Sequence, residues 1–211
     1  MKIAVINEVS ACAKNADILT ALGEFPQHAV YNVGMVPPED RPELTYIQTG
    51  LMGAALLNAG ACDIVVGGCG TGQGFLNSVM QYPGVFCGLV TGPLDAWLFM
   101  QINAGNCISL ALNQGYGWAG DINLKHIFRE LLRDPAGAGY PPHRSGSQAE
   151  SRRKLADISR AAHLAMPEIL GRLDRGMQLP LARCGAFLSL LEEAAQGSPA
   201  ADAIFRHFAG L

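Results

Sequence analysis

With 211 residues, 49% of them hydrophobic and 16% charged, and a formal net charge of −3, the chain is too apolar for disorder and too weakly charged for a general attraction to nucleic acid. It is long enough to bury one substantial core with a small appendage. The opening MKIAVINE carries one lysine and an apolar run that stops at Asn7 and Glu8, short of a signal-peptide core or a membrane span, so a cytoplasmic chain with no membrane partner is expected. Its six cysteines (12, 62, 69, 87, 107 and 184) include no CxxC pair and read mostly as small buried apolar residues.

Lys2 to Ile6 reads as a strand and Ala11 to Leu22 as a helix, a βα beginning. His28 to Val33 follows as a strand, Glu43 to Ala59 as a helix and Cys62 to Val66 as a strand. The unbroken apolar character of that last run suits a strand covered on both faces, hence a parallel sheet. Gly74 to Gln81 (helix), Val85 to Val90 (strand), Leu94 to Asn103 (helix) and Cys107 to Leu112 (strand) continue the alternation. The expectation is a Rossmann-like, doubly wound α/β fold with five parallel strands and ligands at their carboxyl ends, where the loops after Ile6 and Val66 matter most.

Ile122 to Arg133 makes another amphipathic helix, and DPAGAGYPPHRSGSQ reads as a loop or hinge. Residues 1–146 are therefore the expected core domain. Residues 147–211 are the expected helical extension, with helices over Ala149 to Leu173, Pro180 to Ala195 and Ala200 to Phe208, packing on the sheet or on a second subunit.

The chemistry concentrates in Val65-Val66-Gly67-Gly68-Cys69-Gly70-Thr71-Gly72-Gln73-Gly74, a glycine-rich turn between a buried strand and a helix. Glycines let backbone approach a ligand, and amides at a helix start hold a phosphate, a carboxylate or an enediolate oxygen. The same amides favour negative charge on Cys69, which makes a base of it; the alternative is a tight turn with Cys69 as filler. No lysine follows the last glycine and GxGxxG is not matched, so nucleotide binding is disfavoured. His126 and His143 have no partner at metal-ligand spacing and read as surface or structural histidines.

GGCGTGQG, followed by Tyr82-Pro83-Gly84-Val85 and later by Asn103-Ala104-Gly105-Asn106, resembles the type B ribose-5-phosphate isomerase and galactose-6-phosphate isomerase family over roughly residues 1 to 155. The resemblance implies an aldose-ketose isomerase that uses neither metal nor organic cofactor, acts on a small anionic sugar, and assembles as a homodimer or higher homo-oligomer with shared active sites. It assigns Cys69 as the carbon acid/base, Thr71 to position the reacting oxygens, and the amides of Gly70, Gly72 and Gly74 to the enediolate. Asn103 and Asn106 match the family's asparagines and would bond substrate; each can equally serve as a helix C-cap.

The sequence also departs from that family. Its early Asp-His pair falls here on Glu8 and Val9, and its ring-opening histidine falls on Ile102. Some relatives use a glutamate at the Phe75 position, which leaves Cys69 as the base here. Arg144, Arg152 and Arg153 occupy the region of the family's phosphate-clamping arginines; any of them could bind the substrate anion bidentately, and Arg144, beside the turn, is the leading candidate, the alternative being a solvated helix face. KIAVINE, Gly34-Met35, the PELTYI-like run from Pro42 to Ile47 and the helical tail are similar to a branch associated with 4-deoxy-5-hexosulose uronates. There Glu8 would relay protons between substrate oxygens; otherwise it is a helix-terminus cap. Three readings stay open: a sugar-phosphate isomerase, a keto-uronate isomerase, and a noncatalytic partner subunit.

Overall fold

A computed structural model describes residues 1–35 and 42–211. Strands β1 (Lys2–Asn7), β2 (Ala29–Asn32), β3 (Ile64–Cys69), β4 (Cys87–Val90) and β5 (Cys107–Ala111) pair in parallel as one sheet, in the order β2-β1-β3-β5-β4. Helices α1 (Asn15–Leu22), α2 (Tyr46–Asn58), α3 (Gln73–Val79), α4 (Pro93–Leu98) and α5 (Gly120–Leu131) follow the five strands in turn. The α/β reading from the sequence holds, because buried parallel strands write themselves as continuous apolar runs.

Side-chain alternation splits the core in two. Ile3, Val5, Ile64 and Val66 face one side, where they meet Leu22 and Phe128 of α1 and α5. Ala4, Ile6 and Val65 face the other, against Leu51 of α2 and Phe75 and Val79 of α3. Each fully buried large apolar side chain contributes roughly 1.5–3 kcal/mol. Two glycines set how closely α2 approaches. A Cβ on Gly50 would stand 2.2 Å from the Ser78 hydroxyl, and one on Gly53 would touch Val65 at 3.4 Å. Thr45 and Gln48 form a capping box that starts α2.

Beyond α5, the chain adds α6 (Ser145–Ala162), α7 (Met166–Arg172), α8 (Arg175–Ala182), α9 (Gly185–Ala195) and α10 (Pro199–Ala209). Leu170, Leu181, Phe187, Leu191, Ile204 and Phe208 of the last four join the same apolar cluster as α2, and Phe187 meets Phe208 edge-on at 5.0 Å. Helix α6 differs: none of its residues is buried.

Several boundaries depart from the sequence reading. The helix expected from Ala149 to Leu173 breaks over 163–165, because Pro167 has no N–H to bond the carbonyl of residue 163. Pro180, expected to open a helix, lies inside α8, and the run to Ala195 is interrupted before Gly185. The helix expected through Asn103 stops at Leu98 and widens into a π turn, Phe99–Asn103, that ends on Ala104 at φ 44°. Strand β3 runs three residues further than expected, so Cys69 ends a strand and does not sit in the turn.

Candidate active site

The site is built where connections from adjacent strands leave on opposite sheet faces. In the sheet Asn7 pairs with Gly68, so Glu8 and Cys69 are the next residues in register at the carboxyl ends of β1 and β3. The chain after β1 goes to α1 on one face and the chain after β3 goes to α3 on the other, which opens a crevice between them. Glu8 is 3% exposed and Cys69 6%. The Cys69 Sγ lies 3.9 Å from the Thr71 hydroxyl.

Glycine is required along this segment for reasons of space. A Cβ at Gly67 would lie 2.1 Å from the Phe75 ring, which fills the place beneath the strand, and Gly72 turns the chain at φ +76°. Ser109, fully buried, donates at 2.6 Å to the Gly72 carbonyl and holds the turn down. The Leu112 amide bonds the Cys69 carbonyl, and the Asn113 and Gln114 amides bond that of Gly70.

Not every loop amide is available to a ligand. The Gly70 N–H donates to the Ser10 hydroxyl at 3.0 Å, the Gly72 N–H to the Cys69 carbonyl at 3.3 Å and the Gln73 N–H to the Thr71 hydroxyl at 3.3 Å. Among the described residues, the amides of Thr71 and Gly74 carry no acceptor. Of the three glycine amides singled out in the sequence, only that of Gly74 is uncommitted.

Asn103, Asn106 and Arg144 lie elsewhere. The two asparagines precede β5 at the amino end of the sheet, and the Asn106 carboxamide accepts from the Phe86 N–H at 2.9 Å and donates to the Gly84 carbonyl at 2.8 Å. Asn103 is exposed at the end of the π turn, and Arg144 is exposed just before α6. Arg152 donates to the carbonyls of Ile102 and Gly137, at 2.8 and 3.1 Å. Within one chain the structure therefore unites Glu8, Cys69, Thr71 and Gly74 but not Asn103, Asn106 or Arg144.

A family model described as ribose/galactose isomerase matches residues 3–155. The chain belongs to that family. Ribose/galactose isomerases are enzymes, and this chain is a sugar isomerase by that membership. Its fold matches a crystal structure of 4-deoxy-L-threo-5-hexosulose-uronate ketol-isomerase complexed with a tartrate, 34% identical over 100% of both chains with a TM-score of 0.94. It also matches a ribose-5-phosphate isomerase from Vibrio parahaemolyticus, 38% identical over 99% of both chains with a TM-score of 0.93. The type B ribose 5-phosphate isomerase of Leishmania infantum shares the fold at 17% identity and a TM-score of 0.64, covering 77% of this chain. No curated protein matches the chain.

Two neighbours of the glycine-rich loop escaped the sequence reading as site residues. Tyr46, the first residue of α2, is 44% exposed and lies so near the start of α3 that a Cβ on Gly74 would meet its ring at 3.0 Å. Its signal was the PELTYI-like run, which marks the residue but not its place. Ser10 joins Glu8 to the Cys69 loop, a link formed only by folding. Beyond Thr71 a cavity of about 260 Å³ opens between the ends of β4 and β5 and α5, lined by Gln73, Thr91, Gln114, Tyr116 and Asn123 among others. Burial, and then the hydrogen bond to Asp17, push the Tyr116 phenol up, so it stays neutral. Among the described residues no cluster of three or more His, Cys, Asp or Glu side chains could hold a metal ion, and no helix is long and apolar enough to cross a membrane.

Proposed function

We propose that the chain is an aldose-ketose isomerase that moves a proton between adjacent carbons through an enediolate, with Cys69 as the base. The observation that carries this reading is the placement of Cys69 and Glu8 side by side at the crevice, with Thr71 above the thiol. The thiolate takes the proton from the hydroxyl-bearing carbon, and the electron pair flows into the adjacent carbonyl. The amides of Thr71 and Gly74 face the charge that develops. The thiol, whose proton exchanges with solvent, then protonates the former carbonyl carbon, while Glu8 carries the second proton between the two oxygens. No step calls for a metal or an organic cofactor.

We read the substrate as a keto-uronate of the 4-deoxy-5-hexosulose type. Such an acid has a ketone at C5 and no hydroxyl at C4, so its aldehyde lacks the hydroxyls that close ordinary pyranose and furanose rings. An enzyme for it has little use for a ring-opening histidine, and this chain has Ile102 in that place. Further support comes from the full-length likeness to the uronate ketol-isomerase, tail included, and from the hydroxy diacid tartrate with which that protein was crystallised. The sugar-phosphate reading draws on the Vibrio protein. Assays of the purified chain with 4-deoxy-5-hexosulose uronate, ribose 5-phosphate and galactose 6-phosphate separate the two. Turnover of the uronate alone is the expected result, turnover of a phosphate would replace it, and no turnover of any would favour a noncatalytic partner subunit.

The working assembly in this reading is a homodimer with shared sites. A groove of about 660 Å³ runs between α6 and the sheet edge, lined by Phe86, Phe99, Leu155 and Ile158 among others, and the last two are 48% and 61% exposed. A second copy seated there would cover those side chains and bring Asn103 and Arg144 toward the partner's Cys69 loop. In the same reading residues 1–146 form the isomerase core and 147–211 an extension in which α8, α9 and α10 pack on α2. Six cysteines without a disulfide fit a cytoplasmic enzyme.

A further inference from the structure

We propose that Ser10 is a positioning residue that couples the two proton-transfer groups, holding one oxygen of the Glu8 carboxylate while pinning the loop that carries Cys69. The inference rests on the reading of Cys69 as the carbon base and Glu8 as the oxygen relay.

Ser10 lies two residues after Glu8, in the connection leaving β1. Its hydroxyl donates to Glu8 Oε1 and accepts the N–H of Gly70 at 3.0 Å, while its carbonyl accepts from the Asn113 side chain at 2.8 Å. Three loops, leaving β1, β3 and β5, thus meet on one residue. The order of the bonds follows from the atoms. A backbone amide can only donate, so Gly70 occupies a lone pair of the hydroxyl, and the single hydroxyl proton points to the carboxylate. With Oε1 held, Oε2 is the oxygen left to exchange a proton with substrate. Gly70 is covalently next to Cys69, so the same bond sets how far the carboxylate stands from the thiol. Space is tight as well: a Cβ on Gly70 would approach the Ser10 hydroxyl to 3.2 Å.

The consequence is specific to a two-proton reaction. Cys69 moves a carbon-bound proton and Glu8 an oxygen-bound one. An enzyme whose relay is misaligned still forms the enediolate, but it returns the proton to the original carbon more often. In deuterium oxide that failure appears as solvent deuterium in recovered aldose without ketose formation. Damage to the whole site would lower exchange and isomerisation together.

The experiment compares wild type, Ser10→Ala, Ser10→Thr and Ser10→Val, using 4-deoxy-5-hexosulose uronate in deuterium oxide, with deuterium counted in recovered substrate and in product. Thr keeps the hydroxyl and Val keeps the shape of Thr without it, so that pair decides the point even where Ala perturbs the loop. Expected is a kcat about tenfold lower in Ser10→Ala and Ser10→Val, the effect of losing one hydrogen bond to a charged group, with KM little changed. The ratio of exchange to isomerisation should rise in both, and Ser10→Thr should resemble wild type. A parallel fall of exchange and isomerisation, or Ser10→Val indistinguishable from Ser10→Thr, would overturn the inference alone. Wild-type turnover with no solvent deuterium at all would instead remove the enediolate reading, and this inference with it.

Discussion

Cys69 and Asn103 stand at opposite ends of the same sheet. Cys69 closes β3 in register with Ala111, the last residue of β5, whereas Asn103 precedes Cys107, the first. Strand β5 alone separates the two levels by about 13 Å. Asn103 and Cys69 can act on one substrate only if they come from two copies of the chain.

Light scattering should accordingly give twice the 22.3 kDa of one chain. Ile158→Glu, which places a charge in the groove beside α6, should yield monomers and little activity. Mixing inactive Cys69→Ala with inactive Asn103→Ala should restore activity by pairing one intact loop with one intact asparagine. A fully active monomer, or mixtures no better than their components, would contradict the shared site.

Asn106 has a different expected behaviour, although it belongs to the same motif. Its carboxamide is spent on the backbone of residues 84 and 86, where it fastens the approach to β4. Asn106→Ala should therefore lower stability by about 1–3 kcal/mol in urea titrations. Its effect on kcat should be small beside that of Asn103→Ala, and the reverse order would place Asn106 in the site.

Gly67 and Phe75 form a complementary pair, strand backbone above and ring below. Gly67→Ala drives a methyl into the ring and should cost about 1–3 kcal/mol or more, as overpacking does. Gly67→Ala combined with Phe75→Leu should recover part of that loss. Strictly additive losses would mean that the two residues do not share the space.

Alkaline pH should destabilise the chain through its buried thiols. Burial, with Asp63 adding to it, pushes Cys62 from 9.0 up to about 12, and burial holds Cys107 well above 9.0. Between these values the unfolded chain sheds protons that the folded chain keeps, so stability falls as pH rises from about 9 toward about 12. Cys62 accounts for up to about 4 kcal/mol across that window. Urea midpoints at about pH 8 and about pH 10.5 should therefore diverge, and less so in Cys62→Ala; an equal slope in both proteins would refute the assignment.

Much of this arrangement was legible in the sequence, and the reasons differ by region. Strands such as Ile64–Cys69 announced themselves because burial on both faces leaves no polar alternation, and the loop did so because glycine is demanded wherever ring or backbone crowds a strand end. Glu8 and Cys69 were each singled out, but their adjacency depends on β1 and β3 pairing in register, which no local pattern encodes. The Ser10 bridge spans sixty residues and was invisible for the same reason. Asn103, Asn106 and Arg144 read as one set with Cys69, because motif resemblance carries no information about which copy supplies a side chain. Tail helices were visible by periodicity, but Pro167 opens a separate helix α7, Pro180 lies inside α8 and does not start one, and the break before Gly185 carries no proline to mark it.

In the proposed reaction the Cys69 thiol moves the carbon-bound proton. The most direct test follows solvent deuterium into product and recovered substrate during turnover of 4-deoxy-5-hexosulose uronate by wild type and by Cys69→Ala. Wild type should place solvent deuterium on the carbon that receives the proton. Cys69→Ala should lose isomerisation and exchange together, by about a hundredfold or more, as expected when a general base is removed. Near-normal exchange in Cys69→Ala would show that another group is the base.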